Sequence, residues 1–416
     1  MLSAVTVLAA TMMTPAHAEP APRGTVIMIG GALSDDNAEI YQEIVQRAGG
    51  PRARIGVVTA ASLPPSQDPE AGTDQAANSV TSGRFYTDIL QKYGAGTVQW
   101  IPVDLDHVSA ADSADLARQV SSMTGFMFGG GDQSRLVTTL LHGAAHTDSR
   151  VMAAIRARFV QGAVVAGSSA GAQIQAGPDM VTGGASYQAL SHGSHTGYFE
   201  DDTLLAGLPA GGFGLFRDGL VDTHFSANGR LGRAVRLAAD TGHARVFGLD
   251  PDTALEVTGS SLRVLGRHGV SVLDLRQART GMTRGHWAIS GVRWTYLTDG
   301  ASYDPAAWTY RMPATLARLA PVDRAAARTV EDIFDSPAAE HFDSAPAEHK
   351  GFRLTNAALD LAGAGRSSVL QGLSYETNPV FVVELRKENG FTAYGAGAAI
   401  AFADLSVAMH SSPHQP

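Results

Sequence analysis

The segment Gly167-Ser168-Ser169-Ala170-Gly171 places a serine between glycines, directly after the apolar run Ala163–Ala166 and before a stretch compatible with a helix. A sharp strand-to-helix turn of this kind strains the serine backbone, lifts Oγ above a sheet, and needs flanking glycines to avoid Cβ clashes. Ser169 is the candidate nucleophile. The N–H of the next residue, Ala170, would face an oxyanion at the helix N-terminus. Small residues also serve close strand–helix packing, but a strand before and a helix after favour the chemical reading. A second turn, Gly129-Gly130-Gly131-Asp132-Gln133, follows the strand-like GFMF and offers Gly131 N–H as a second oxyanion donor. It lacks the Lys and Ser/Thr of a phosphate-binding loop, so it does not read as a nucleotide site. His224 follows the short run Gly219–Asp222 and stands where a base for Ser169 belongs. Arg230 and Arg233, three apart, share a face of any following helix and with its positive end form a carboxylate site. Two solvated arginines on a surface helix would read the same way.

These residues need a scaffold that gathers the ends of several strands. Apolar runs at Thr25–Ile29, Ile55–Thr59, Val98–Val103, Gly125–Phe128, Ala163–Ala166, Gly219–Asp222 and Arg245–Leu249 alternate with amphipathic stretches such as Asn37–Ala48, Ser113–Met123 and Ser149–Gln161. The pattern predicts an α/β fold, a mostly parallel sheet covered by helices on both faces, with ligands at the carboxyl ends of its strands. After residue 257 the pattern turns to short alternating strands, Leu262–Leu265 and Val270–Leu273. The catalytic α/β domain is expected over 19–300, an Ala/Pro/acidic linker over 301–350 and a β-rich C-terminal module over 351–416. In that module Phe352–Leu361, Val380–Arg386 and Ala398–Val407 read as strands. The linker holds a tandem octamer, FDSPAAEH then FDSAPAEH. Its two Glu-His pairs read as a solvated duplication rather than a metal site, because nothing fixes the ligand geometry.

Of 416 residues, 44% are hydrophobic and 17% charged, the balance of a globular protein. A formal net charge of −9 gives no general reason to bind nucleic acid or an anionic membrane. There are no cysteines, which excludes thiolate catalysis and Cys-ligated metal sites. The first 18 residues, MLSAVTVLAATMMTPAHA, are apolar, end in Ala16-His17-Ala18, and read as a secretory signal peptide without a basic n-region. A periplasmic or extracellular location is expected, with no membrane association after cleavage.

GTVIMIGGALS, AGGPRARIGVVTAAS, the GGDQ turn, GSSAGA and DTHFSANGRLGR occur in order over roughly residues 24–275. Together they resemble the cyanophycinase and peptidase E-like serine peptidases. The resemblance implies a fold similar to class I glutamine amidotransferases (flavodoxin-like), with serine in place of cysteine. It also implies exopeptidase action on aspartyl peptides, for cyanophycinases the release of β-aspartyl-arginine from cyanophycin. By motif position Ser169 would be nucleophile and His224 base, with Gln133, Asp222, Arg230 and Arg233 holding a peptide substrate that contains aspartate and arginine. Asp222 would take a substrate guanidinium, and the two arginines its carboxylates. No metal or organic cofactor is implied. The oligomeric state stays open, a homodimer among the options.

The chain departs from the family pattern in three places. Thr223 stands where a side-chain amide is typical, and Asn228 where another arginine is. The segment that supplies the acid of the triad, typically Asp-Glu-x-Thr-Ala, is here Asp250-Pro251-Asp252-Thr253-Ala254. Pro251 cannot orient a histidine, and strand alternation points Asp250 and Asp252 away from its face. A local bulge would return one of them, and Asp252 is the expected acid. A weakened acid slows such enzymes less than loss of serine or histidine, about 10⁴ against about 10⁶. Two other readings remain: a binding protein that kept the pocket without turnover, and an esterase of the α/β-hydrolase type. The second is disfavoured because such enzymes place the acid before the histidine.

Overall fold

The computed structural model describes residues 24–197, 204–336, 351–395 and 398–412. The leader-like residues 1–18 and nearly all of the tandem octamer lie outside them. Five strands form the parallel core in the order Thr97–Trp100, Arg54–Val58, Gly125–Phe128, Val164–Ser168, Thr25–Ile29. Alternation sends Val26 and Met28 into one apolar cluster with Phe126, Phe128 and Ile155. Ile27 and Ile29 enter another, with Ile40, Ile44 and Leu90. Both faces are covered, which is why these strands read as unbroken apolar runs. The sheet continues through antiparallel Thr253–Thr258, Ser261–Gly266, Ser302–Asp304 and Thr309–Arg311.

The expected helices are present, at Ala38–Arg47, Ala114–Val120 and Arg150–Val160, each started by a side-chain cap from Asn37, Ser113 or Ser149. Two of the expected core strands belong elsewhere. Leu220–Asp222 and Arg245–Leu249 pair in parallel with each other, around the helix Leu231–Thr241, and open a second sheet. That sheet runs on through Gly269–Asp274, His286–Thr298, Ala399–Ser412, Val380–Arg386 and Val369–Leu373. Strand His286–Thr298 therefore pairs across more than a hundred positions with Ala399–Ser412, hydrogen-bonding the C-terminal residues into the body of the protein.

Phe352–Leu361, read as a strand, is instead a left-handed Phe352 (φ 54°) followed by the helix Arg353–Gly363. Its buried Leu354, Ala358, Leu361 and Ala362 recur at helical, not alternating, spacing. Pairing of Leu249 and Thr253 into different sheets makes Asp250–Asp252 a short bridge between them. This bridge is hydrogen-bonded to the Gly30-Gly31 turn: Gly30 N donates to Thr253 O at 2.9 Å and Asp252 N to Gly31 O at 2.9 Å.

Candidate active site

Register brings three turns together at one end of the parallel core. Ile29 lies opposite Ser168 and Phe128 opposite Gly167, so Gly30-Gly31, Gly129–Gly131 and Ser169 follow at neighbouring strand ends. Ser169 has φ 54° and ψ −115°, the strained backbone of a nucleophile elbow. Its neighbours must be glycine: a Cβ on Gly167 would lie 1.9 Å from Gly171 O, and one on Gly171 2.2 Å from Phe128 O. Ser169 N donates to Ile29 O at 3.0 Å, tying the elbow to the adjacent strand.

Ser169 Oγ and His224 Nε2 are 2.8 Å apart. His224 reaches this position from the second sheet, with φ 47° and its N–H on Gly30 O at 2.7 Å. Gly31, at φ 104°, lies against the imidazole, and a Cβ there would be 2.1 Å from Nε2. Burial, then the Arg230 cation, depress the His224 pKa to about 4, with Arg233 adding to the fall and Asp222 opposing it. The ring is thus neutral at pH 7, the form that can accept a proton.

The pair opens on a cavity of about 440 Å³ lined by Gly131, Gln133, Ala170, Gln173, Arg230 and Arg233, among others. Such a volume suits a ligand of dipeptide size. The N–H groups of Gly131 and Ala170 have no acceptor among the described residues. Among the described residues no carboxylate lines the cavity, and Arg230 and Arg233 give its wall a cationic character. Gln133 Nε2 donates to Val181 O at 3.1 Å.

Two assignments of role are corrected. Asp222 is fully buried and its two oxygens accept from Arg233 Nε at 2.7 Å and Nη2 at 2.6 Å. It holds Arg233 rather than receiving a substrate cation. Arg233 also donates to Gly184 O at 2.7 Å, whereas Arg230 has Thr223 O at 2.7 Å and only a 3.5 Å contact with Asp222. Two cations share one carboxylate, and burial and Arg233 both lower the Arg230 pKa. Arg230 is the cation in want of an anion.

The second correction concerns Asp252. Its oxygens accept from Ser34 N at 3.0 Å, Ser34 Oγ at 2.9 Å and Asn37 Nδ2 at 2.8 Å, with Arg267 Nη1 at 3.1 Å. Asp250 turns the other way, accepting from Ser226 N at 2.8 Å and Tyr296 Oη at 2.7 Å. Among the described residues no carboxylate pairs with His224. The bridge between two sheets aims both aspartates away from the imidazole, and the bulge that would return Asp252 does not occur.

Sequence reasoning missed Gln173, one turn after Ser169, and the Thr182–Ala185 wall of the cavity. Gln173 Nε2 donates to Val221 O at 2.9 Å, linking the elbow helix to the strand before His224. Nothing in the local pattern marked either. The close approach of Gly31 to His224 had one signal, the paired glycines ending the first strand.

The description "Peptidase family S51" matches residues 75–265. A cyanophycinase of Synechococcus elongatus is 32% identical over 263 residues, 62% of this chain and 71% of that protein. A cyanophycinase of Trichormus variabilis is 29% identical over 257 residues, 61% of this chain and 74% of that one. A crystal structure of a peptidase from an acI-B1 Actinobacterium superposes with TM-score 0.44 at 17% identity, covering 68% of this chain and 97% of that one. The protein is a serine-type peptidase of α/β fold with a β-rich extension. The chain belongs to the cyanophycinase and peptidase E-like family, peptidase family S51.

Proposed function

We propose that the protein hydrolyses aspartyl peptides from one end, cyanophycin being the leading substrate and β-aspartyl-arginine the product. The observation that carries this is the 2.8 Å contact between Ser169 Oγ and a neutral His224 Nε2 beside an under-neutralised Arg230. A substrate carboxylate on Arg230 would fix the chain end. Ser169 Oγ would attack the carbonyl while His224 Nε2 takes its proton, and Gly131 and Ala170 N–H would hold the oxyanion. The proton then passes to the leaving amine, and water, deprotonated by the same imidazole, releases the acyl group. The bound carboxylate would also offset the Arg230 charge felt by His224 and so make it a better base. The leader-like first 18 residues support action outside the cytoplasm.

Release of β-aspartyl-arginine from cyanophycin, measured with the wild type and Ser169→Ala, tests the reading. Release that disappears in the variant supports it; no release from the wild type removes cyanophycin as substrate. One observation favours a second reading. His224 has no carboxylate partner among the described residues, which suits a protein that binds such peptides and turns them over slowly or not at all. Tight binding of aspartyl peptides without hydrolysis would select it.

A further inference from the structure

The family match ends at residue 265, and the steps above use no residue beyond Arg233. Residues after 330 nevertheless pack on the loop that carries His224. Phe352 N donates to Ser226 O at 2.8 Å, and Thr355 Oγ1 donates to the buried Ser226 Oγ at 2.7 Å. Gly351 lies so close that a Cβ on it would sit 1.7 Å from Ala227 O. A Cβ on Gly229 would likewise sit 2.5 Å from the carbonyl carbon of Phe334. From the opposite side Asp250 accepts the Ser226 N–H. Every polar group of Ser226, two positions from His224, thus has a partner on another element; Gly229 N of the same loop adds a longer contact to Ser226 O at 3.3 Å, and Phe352 and Thr355 belong to the C-terminal segment.

The physical need for such contacts lies in the surroundings of His224. A histidine base is ordinarily aimed by a carboxylate on its second ring nitrogen. Among the described residues His224 has none, and it sits at φ 47°, a left-handed backbone that persists only where its surroundings impose it. The direction of Nε2 therefore depends on the backbone of the loop and on the packing of Gly31 against the ring.

We propose that the C-terminal segment is a positioning clamp for His224. The start of helix Arg353–Gly363, through Phe352 and Thr355 acting on Ser226, sets the loop that aims Nε2 at Ser169. Thr355 and Ser226 are positioning residues, and the clamp does through the loop part of what a carboxylate does through the ring. The proposal rests on Ser169 and His224 being the reacting pair.

The test uses the full chain with Thr355→Val, which keeps shape and removes the donor, and Thr355→Ser, which restores it. Two quantities are read well below the melting temperature. One is the rate at which a small fluorophosphonate labels Ser169, which needs no peptide substrate. The other is amide hydrogen exchange over residues 224–230. The valine variant should label about tenfold more slowly, as expected for a displaced base. Its exchange over 224–230 should quicken while strand Val164–Ser168 is unchanged, and the serine variant should recover both. A valine variant that labels at the wild-type rate overturns the clamp, even if it melts earlier. If wild-type Ser169 does not label at all, the Ser-His reading itself fails. The clamp is then judged on exchange, and unchanged protection of 224–230 overturns it separately.

Discussion

Ser169 and His224 both occupy positive-φ backbone just past the end of a strand, but their turns are held by different means. The serine turn is confined by Gly167, Gly171 and Phe128, residues of its own elbow and of the next strand of one sheet. The histidine turn depends on Gly30, Leu249, Asp250, Phe352 and Thr355, drawn from both sheets and from opposite ends of the chain. The proposed nucleophile is held within one sheet, whereas the proposed base is an assembly of distant parts. Disturbance far from the chemistry should therefore reach the site through His224.

The largest effect should come from removing either end of the 2.8 Å contact. Ser169→Ala or His224→Ala should lower kcat by about 10⁶ if the two act as a unit, read by dipeptide release under saturating substrate. A loss confined to the serine variant would break the comparison, leaving the histidine turn without a catalytic part.

Gly31→Ala comes next. Its Cβ would lie 2.1 Å from Nε2 and at an unfavourable φ, so the imidazole must move, at a cost of about 10² in kcat. The Ser169 elbow should remain folded, so a crystal structure of the variant showing the ring displaced and the elbow unchanged would sharpen the contrast.

Arg230→Gln should raise KM about 10- to 100-fold for substrates with a free carboxylate, the range for losing a charged hydrogen bond. It should also change the pH profile. The base works when neutral, so the acid limb of kcat/KM should fall near the depressed His224 pKa of about 4. Removing a cation favours the imidazolium, and the limb should move to higher pH. A limb that stays in place would show that Arg230 does not act on the histidine.

Asp252→Asn should have the smallest effect on turnover, within about threefold, because Asp252 serves Ser34, Asn37 and Arg267. Thermal melting should fall, by about 1–2 kcal/mol of stability for the weakened hydrogen bonds. A loss of activity approaching 10⁴ would restore Asp252 as the acid.

Much of this site is written into short stretches of the chain. An apolar run followed by G-x-S-x-G forces a strand, an elbow and an exposed Oγ within about ten residues, so Ser169, Ala170 and the GGGDQ turn were legible from local sterics. The alternation of apolar runs and amphipathic helices likewise determined a covered parallel sheet. Side-chain direction at Asp250–Asp252 was not determined in this way. It depends on Leu249 and Thr253 joining different sheets, a fact of long-range pairing that no local period records. The pairing of Asp222 with Arg233, and the docking of Phe352 and Thr355 on Ser226, join residues 11 and well over a hundred positions apart. Local turn chemistry made the Ser169 elbow; only the packing of two sheets and a C-terminal helix decided where His224 points and which carboxylates were turned away from it.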